Sequence, residues 1–197
     1  MKEILLDRSA EELKELFAAK GLPAYRAAQV FSELHKNKSF ADMSALPKAL
    51  REELAAVYAD PPVKIVKTLE SKDGTKKFLF RLQDGNVVEG VLMKYKYGNT
   101  QCVSTQVGCR MNCAFCASGL HGLVRNLTAG EILGQITAVN AAEGGTLEER
   151  KVTNIVLMGS GEPLDNFENT VKFLKNVSEK GGLNVSQRNI SLSTCGL

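Results

Sequence analysis

The 197-residue sequence predicts an α/β protein in three successive parts: a small helical domain at residues 1–61, a β-meander connector at 62–99, and the first βα units of a barrel at 100–197. Three observations support this prediction. Apolar residues recur at helical spacing in the first part, β-branched and aromatic residues are divided by Asp-Gly turns in the second, and strand-like and helix-like segments alternate in the third.

The helical domain is predicted from helix start and stop residues. Ser9 and Glu12 form a capping-box pattern that opens a first helix, and Gly21 ends it. Pro23 suits the first turn of a second helix, and a third is predicted at about residues 44–58.

Pro61 and Pro62 mark the predicted end of the helical domain. The segments expected beyond them are meander strands at 63–69, 77–82 and 87–95, then a strand at 100–106, a helix at 128–142, a strand at 152–158, a helix at 167–180 and a strand at 188–193. This alternation amounts to about three βα units, whereas a closed eight-stranded barrel needs about 250 residues. We therefore expect the chain to be the N-terminal part of a longer protein; the alternative is a complete small α/β domain.

Charge is concentrated in the middle of the chain. Residues 61–126 contain 10 basic and 4 acidic side chains, a net charge of +6, against +3 for the whole sequence. This block is typical either of an RNA-binding surface, with candidate phosphate contacts at Lys76, Lys77, Lys94 and Lys96, or of a solvated sheet face. The charged N-terminus and the lack of a run of about 20 apolar residues predict a cytoplasmic protein without a membrane partner.

Three cysteines share one short segment, Cys109, Cys113 and Cys116, at Cys-x3-Cys-x2-Cys spacing. Three thiolates suit a [4Fe–4S] cluster that keeps one iron open for another ligand. A zinc site with Cys102 or His121 as fourth ligand is the alternative, as are buried cysteines without metal. The odd total of five cysteines argues against a disulfide framework.

Cys-x3-Cys-x-Phe-Cys after the first strand of a βα barrel is similar to the motif of the radical S-adenosylmethionine (SAM) enzymes. The flanking segments at 101–109, 125–128, 158–164 and 191–196 resemble the RlmN-type dual-specificity rRNA and tRNA adenine methyltransferases, and the resemblance covers all 197 residues. It implies a (β/α)6 partial barrel, a [4Fe–4S] cluster on the three cysteines, and SAM bound to the open iron.

The resemblance also implies SAM-binding residues at Phe115, Gly161, Glu162 and Ser193. Phe115 would pack beside the adenine of SAM, and its alternative interpretation is ordinary core packing. Gly161 and Glu162 follow a barrel strand at its C-terminal end, where such folds place their sites, although a Gly-Glu-Pro segment is also a common turn. Ser193 matches the family's SAM-contacting serine.

Two further residues match catalytic positions of the family. Cys102 matches the cysteine that resolves the protein–RNA adduct, and strand alternation places it on one face with Ser104 and Gln106. Glu89 matches the proton acceptor, and a carboxylate among strand hydrophobic residues tends toward a raised pKa. Their alternative interpretations are a small buried core residue and an outward-facing strand residue.

The implied reaction is methylation of carbon 2 of adenine in 23S rRNA and tRNA, by a monomer that takes electrons from flavodoxin or ferredoxin. The alternatives are the related carbon-8 methyltransferase and a non-catalytic, zinc-stabilised RNA-binding module. Pro163 favours the RlmN-type branch, because the resistance-linked relatives have Ala at this position. The family also implies a disulfide bond and a second catalytic cysteine near the C-terminus. No residue here matches that second cysteine, so we expect these 197 residues alone to be inactive.

Overall fold

The computed structural model describes all 197 residues, and its N-terminal part is helical, as predicted. The three helices are α1 (Ala10–Ala19), α2 (Ala24–His35) and α3 (Lys48–Val57). Ser9 and Glu12 form the predicted capping box, each side chain accepting a hydrogen bond from the other's backbone N–H. The third helix begins later than predicted because Pro47 directly precedes it, and the residues before Pro47 are used in turns.

The rest of the chain forms eight strands and two helices: β1 (Val63–Glu70), β2 (Lys76–Leu82), β3 (Val87–Tyr95), β4 (Gly98–Cys102), β5 (Gln106–Gly108), β6 (Leu123–Asn126), α4 (Ala129–Ala142), β7 (Asn154–Leu157), α5 (Phe167–Val177) and β8 (Ile190–Leu192). Six strands make one sheet in the order β1-β2-β3-β4-β7-β8, and β5 pairs with β6 separately. The first four strands are antiparallel, whereas β4, β7 and β8 are parallel. The predicted α/β class is confirmed.

One sheet joins the predicted meander to the predicted barrel units. Strand β3 pairs with β4 from Val91 opposite Cys102 to Tyr95 opposite Gly98, and β4 pairs with β7 on its other side. Side chains of paired residues point to the same face of a sheet. Cys102 therefore shares a face with Val91 and with its partner Val156 on β7.

The prediction of a continuous strand at 100–106 is wrong. Strand β4 ends at Cys102, and the chain resumes as β5 in a different sheet at Gln106. At Ser104 the amide side chain of Gln135 replaces a neighbouring strand: its oxygen accepts from the Ser104 N–H at 3.0 Å, and its nitrogen donates to the Ser104 carbonyl at 2.9 Å. Because residues 102–106 do not form one strand, strand alternation does not place Cys102, Ser104 and Gln106 on a common face.

A single hydrophobic core of 38 buried residues runs through all three parts of the chain. Helix α4 lies at its centre and is buried from Ala129 to Asn140. Its start is fixed by the second predicted capping box, formed by Thr128 and Glu131. None of the helices is both long enough and apolar enough to cross a membrane.

His35 connects α2 to the segment after α5. Its ring is buried, lies 4.4 Å from the Phe31 ring and accepts a hydrogen bond from the Leu183 N–H at 3.1 Å. Burial lowers the pKa of His35 from 6.5 to about 4. The unfolded chain therefore binds a proton between pH 6.5 and 4 that the folded chain does not.

We expect this imidazole to reduce the free energy of unfolding as pH falls from 6.5 to 4, by about 3 kcal/mol at pH 4. Urea unfolding of the wild type and of His35→Gln, whose side chain retains an acceptor for Leu183, measures the effect. The variant should lose less stability over this interval. Parallel curves for the two proteins would contradict the assignment.

Candidate functional site

The cysteine segment is a loop closed by a short hairpin. Strands β5 and β6 pair Gln106 with Asn126 and Val107 with Arg125, so the two ends of the loop at residues 109–122 lie next to each other. The Cys109 N–H donates to the Gly122 carbonyl at 3.1 Å across the base of this loop. Gly108 has a φ of +75°, and a side chain there would overlap that same carbonyl, so glycine is required.

Seven of the nine predicted site residues line one pocket with a volume of about 340 Å³. The pocket lies between the cysteine loop, the segment after β7 and the segment after β8, at the C-terminal ends of parallel strands. The seven are Cys109, Cys113, Phe115, Cys116, Gly161, Glu162 and Ser193.

The donor chemistry of the pocket fits an iron–sulfur cluster. Cys109 is buried, whereas Cys113 and Cys116 are exposed toward the pocket, and all five cysteines of the chain are free thiols. Hydrogen bonds from the Ser118 hydroxyl and backbone lower the pKa of the Cys116 thiol, which favours the thiolate that binds iron. No three His, Cys, Asp or Glu side chains are already arranged around a common metal position.

The zinc alternative lacks its proposed fourth ligand. Neither Cys102 nor His121 lines the pocket that the three cysteines share. The burial expected in the alternative without metal is contradicted for two of the three cysteines, because Cys113 and Cys116 are exposed.

Phe115 is not a core residue. Its side chain is 95% exposed, although it lines the pocket between the last two cysteines of the motif. Exposing so large an apolar surface is unfavourable by about 2 kcal/mol relative to burying it. The position suits a flat apolar ligand that would cover the ring.

Glu162 is the buried carboxylate of the pocket. One oxygen accepts from the Leu164 N–H at 2.9 Å and the other from the Cys195 N–H at 2.8 Å. Burial opposes ionisation, but these donors outweigh it and hold the pKa of Glu162 below its ordinary 4.5. The pocket therefore contains a fixed negative charge, which suits an ammonium group.

Gly161 is required by packing against the protein itself. Its φ is +106°, and a Cβ atom there would lie 2.6 Å from the Gln106 Cβ and 2.7 Å from the Gln106 backbone nitrogen. Glycine is therefore needed at this position for packing alone, whether or not a ligand also approaches the backbone. Ser193 follows β8 and donates its N–H to the Leu157 carbonyl at 3.5 Å, which places it on the pocket wall.

Cys102 and Glu89 do not line the pocket, but they share one sheet face next to it. Cys102 is opposite Val91, and Glu89 lies two residues from Val91 on the same strand. Burial raises the pKa of the Cys102 thiol, and a hydrogen bond with the backbone of Met158 lowers it by less. Met158 itself lines the pocket. The structure thus places both predicted catalytic residues at the same end of the sheet as the cysteine loop.

The expectation that Glu89 is enclosed by the strand's hydrophobic residues is wrong, and the alternative of an outward-facing strand residue is correct. The inward positions of β3 are Val88 and Leu92, both buried, and alternation turns Glu89 to the open face. There it pairs with Lys77 at 2.7 Å, with about half of its side chain exposed.

The sequence argument missed Cys195 and a polar connection between two loops. Cys195 lines the pocket, and the Glu162 carboxylate raises the pKa of its thiol.

Gln106 connects the segment before the cysteine loop to the segment after β7: its oxygen accepts from the Glu162 N–H at 2.8 Å and its nitrogen donates to Asp165 at 2.9 Å. Arg110, within the cysteine loop, donates to both oxygens of the same Asp165 carboxylate. Asp165 and Arg110 can both be read from the sequence, but nothing in the sequence indicates that they pair.

We expect Asp165→Asn to increase backbone hydrogen exchange in the cysteine loop, because it removes the charge that holds Arg110. Exchange mass spectrometry of peptides covering residues 109–122 measures this. Arg110→Gln should have the same effect, and the double variant should add little to either single change. Additive effects would show that the two side chains act independently. Glu168→Gln, an exposed change on α5, serves as control.

The lysines predicted to contact phosphates are not equivalent. Lys76 is the least available to a phosphate, because it pairs with Glu143 of α4 at 2.8 Å and only 20% of its side chain is exposed. Lys77 already pairs with Glu89. Lys94 and Lys96 are exposed and form no ion pair in the described chain.

Comparison with known families first defines the class of protein. Residues 103–197 match the radical SAM superfamily, and residues 4–59 match the ribosomal RNA large subunit methyltransferase N-terminal domain. A crystal structure of a radical SAM methyltransferase from Sphaerobacter thermophilus superposes with a TM-score of 0.92 at 42% identity, covering 99% of this chain and 57% of that one. The fold is therefore that of a radical SAM protein.

Curated relatives then identify the branch. The chain is 52% identical over its whole length to the probable dual-specificity RNA methyltransferase RlmN of Clostridium perfringens SM101, and 49% identical to that of Clostridium acetobutylicum over 99% of its length. It belongs to the RlmN-type radical SAM family, which implies a [4Fe–4S] cluster and SAM. The chain spans 56% of the length of both relatives.

Proposed function

We propose that this chain provides the cluster-binding and SAM-binding part of an enzyme that methylates carbon 2 of adenine in 23S rRNA and tRNA. The observation that carries this proposal is the single pocket in which three motif cysteines face a buried, ionised Glu162. The relatives named as dual-specificity RNA methyltransferases support the substrate class.

Each pocket residue has a distinct task in this proposal. Cys109, Cys113 and Cys116 hold the cluster through their sulfurs, leaving one iron for SAM. Glu162 accepts a hydrogen bond from the SAM ammonium, and Phe115 covers the adenine of SAM with its exposed ring. When bound, the cluster and SAM together supply a one-electron reductant and a methyl group.

Backbone groups near Gly161 and Ser193 complete the SAM site in this proposal. Both residues line the pocket opposite the cysteine loop, one after β7 and one after β8. The Arg110–Asp165 pair keeps that loop against the segment containing Glu162, so the cluster and the carboxylate stay at a fixed separation.

The proposed catalytic residues lie on the adjoining sheet face. Cys102 provides the thiol that resolves the protein–RNA adduct, and its partial burial keeps it protonated until a base acts. Glu89 accepts the proton from the adenine, and its present partner, Lys77, must then be displaced or share the carboxylate. We further propose that the protein acts in the cytoplasm as a monomer and receives electrons from flavodoxin or ferredoxin.

The test uses the product of the whole open reading frame, reconstituted anaerobically with iron and sulfide. It is incubated with SAM, reduced flavodoxin, and 23S rRNA and tRNA from a strain lacking this modification. Digestion and mass spectrometry with authentic standards should detect 2-methyladenine. Appearance of 8-methyladenine instead would assign the protein to the carbon-8 reaction. Cys102→Ala is the matched control, expected to retain iron and SAM binding and to release no methylated product.

A further inference from the structure

The meander presents a row of cations on the face that carries Cys102 and Glu89. Paired residues share a face, so the β1–β2–β3 register assigns nine positions to it. They are Lys64, Lys67 and Leu69 on β1, Lys77, Leu79 and Arg81 on β2, and Val87, Glu89 and Val91 on β3. Four of these nine are basic, and the single acid, Glu89, is already paired with Lys77.

Three of these cations have no acidic partner. Lys64, Lys67 and Arg81 are exposed, and none forms an ion pair or a side-chain hydrogen bond in the described chain. Lys64 and Arg81 are also directly opposite each other across β1 and β2. Like charges in this position repel and destabilise a sheet, so the arrangement favours binding of an anion between them.

A groove adjoins this pair at the sheet edge. It has a volume of about 490 Å³ and is lined by Lys2, Lys64 and Arg81. The carboxylate of Asp60 also lines it, and both its oxygens accept hydrogen bonds from the Phe40 N–H, at 2.9 and 2.8 Å. Three cations against this one carboxylate leave the groove with an excess of positive charge.

We propose that this face of β1–β3 is the track on which the RNA backbone of the substrate lies, from the Lys64–Arg81 groove toward Cys102. The proposal rests on the proposed function, since it takes RNA as the substrate. Neighbouring strands are about 4.8 Å apart, so the track from β1 to β4 is about 15 Å long. Phosphates contact Lys64, Lys67 and Arg81, which leaves the bases free to reach the end of the face where Glu89 and Cys102 lie.

The test measures binding of a fluorescein-labelled 20-nucleotide oligoadenylate to the 197-residue chain by anisotropy, without cluster or SAM, from 50 to 200 mM NaCl. The Lys64→Gln, Lys67→Gln, Arg81→Gln triple variant should reduce the slope of log K against log salt by about 2, because each phosphate contact on a single strand contributes about 0.7. The matched control is Lys151→Gln, Lys175→Gln, Lys180→Gln, three exposed lysines without ion pairs that give the same charge change. It should leave the slope within about 0.5 of wild type.

Equal salt slopes for the two triple variants would overturn the track. It would also be overturned if these three cations were needed for binding to phosphatidylserine vesicles but not for binding to RNA. If the triple variant is poorly folded by circular dichroism, Arg81→Gln and Lys67→Gln are measured singly, each with an expected decrease of about 0.7. If the salt slopes contradict the track while iron content and SAM binding are normal, the proposed function is unaffected. Normal RNA binding without 2-methyladenine from the whole protein overturns the function instead.

Discussion

Changing Cys109, Cys113 or Cys116 to Ala should abolish the iron–sulfur chromophore of the reconstituted chain. Each of these thiols lines the same pocket, and a cluster that has only three protein ligands is not held by the remaining two. We expect wild type to bind close to four irons and four acid-labile sulfides per chain, and each variant to bind less than a tenth of that. Iron, sulfide and zinc assays together with the visible absorption spectrum measure the outcome.

Cys102→Ala and Cys195→Ala are the matched controls for this experiment. Cys102 lies outside the pocket, whereas Cys195 lies inside it near Cys113. Both variants should keep the wild-type iron content. Equal loss of iron in Cys195→Ala would mean ligation by four sulfurs and no open iron for SAM. One zinc per chain with no sulfide would instead support the zinc-stabilised module.

Glu162→Gln should weaken SAM binding to the reconstituted chain about 10- to 100-fold, the effect of losing a hydrogen bond to a charged partner. The substitution removes the negative charge. In wild type the Leu164 N–H and the Cys195 N–H each donate to one carboxylate oxygen. In the variant, one of these two donors faces an amide NH2, which cannot accept its hydrogen bond. Equilibrium dialysis with labelled SAM measures the Kd, and the iron content should stay unchanged.

Glu168→Gln removes the same charge from the exposed first turn of α5 and should leave the Kd within about twofold of wild type. A Glu162→Gln protein that binds SAM normally would show that the carboxylate only joins the two loops. In that case its effect should appear as loss of thermal stability rather than of affinity.

The elements that sequence predicted well are those whose stabilising contacts are local. Both capping boxes, at Ser9 and Thr128, form as predicted because all four groups lie within one helical turn. The meander strands agree to within one residue, since their Asp-Gly turns fix the register. The candidate metal and SAM residues were predicted from motif resemblance, and they line one pocket; their roles stay a prediction.

The features that sequence did not predict depend on distant partners. The break after Cys102 requires Gln135, more than thirty residues away, to bond the Ser104 backbone. Lys76 and Lys77 are adjacent in sequence but lie on opposite faces, one against Glu143 and the other beside Glu89. Strands β5 and β6 have three and four residues, too few for periodicity to reveal them.

The ladder between β3 and β4 limits how this protein can be recombined with its relatives. The radical SAM match begins at residue 103, yet Cys102 and Glu89 precede it and are aligned by five residue pairs between those two strands. Grafting residues 103–197 onto a foreign sheet would transfer the cluster loop and leave both groups behind. Exchange of the helices before residue 60 breaks no strand pairing. A chimera that is to keep the two proposed catalytic residues beside the pocket should therefore retain the sheet from the first meander strand onward.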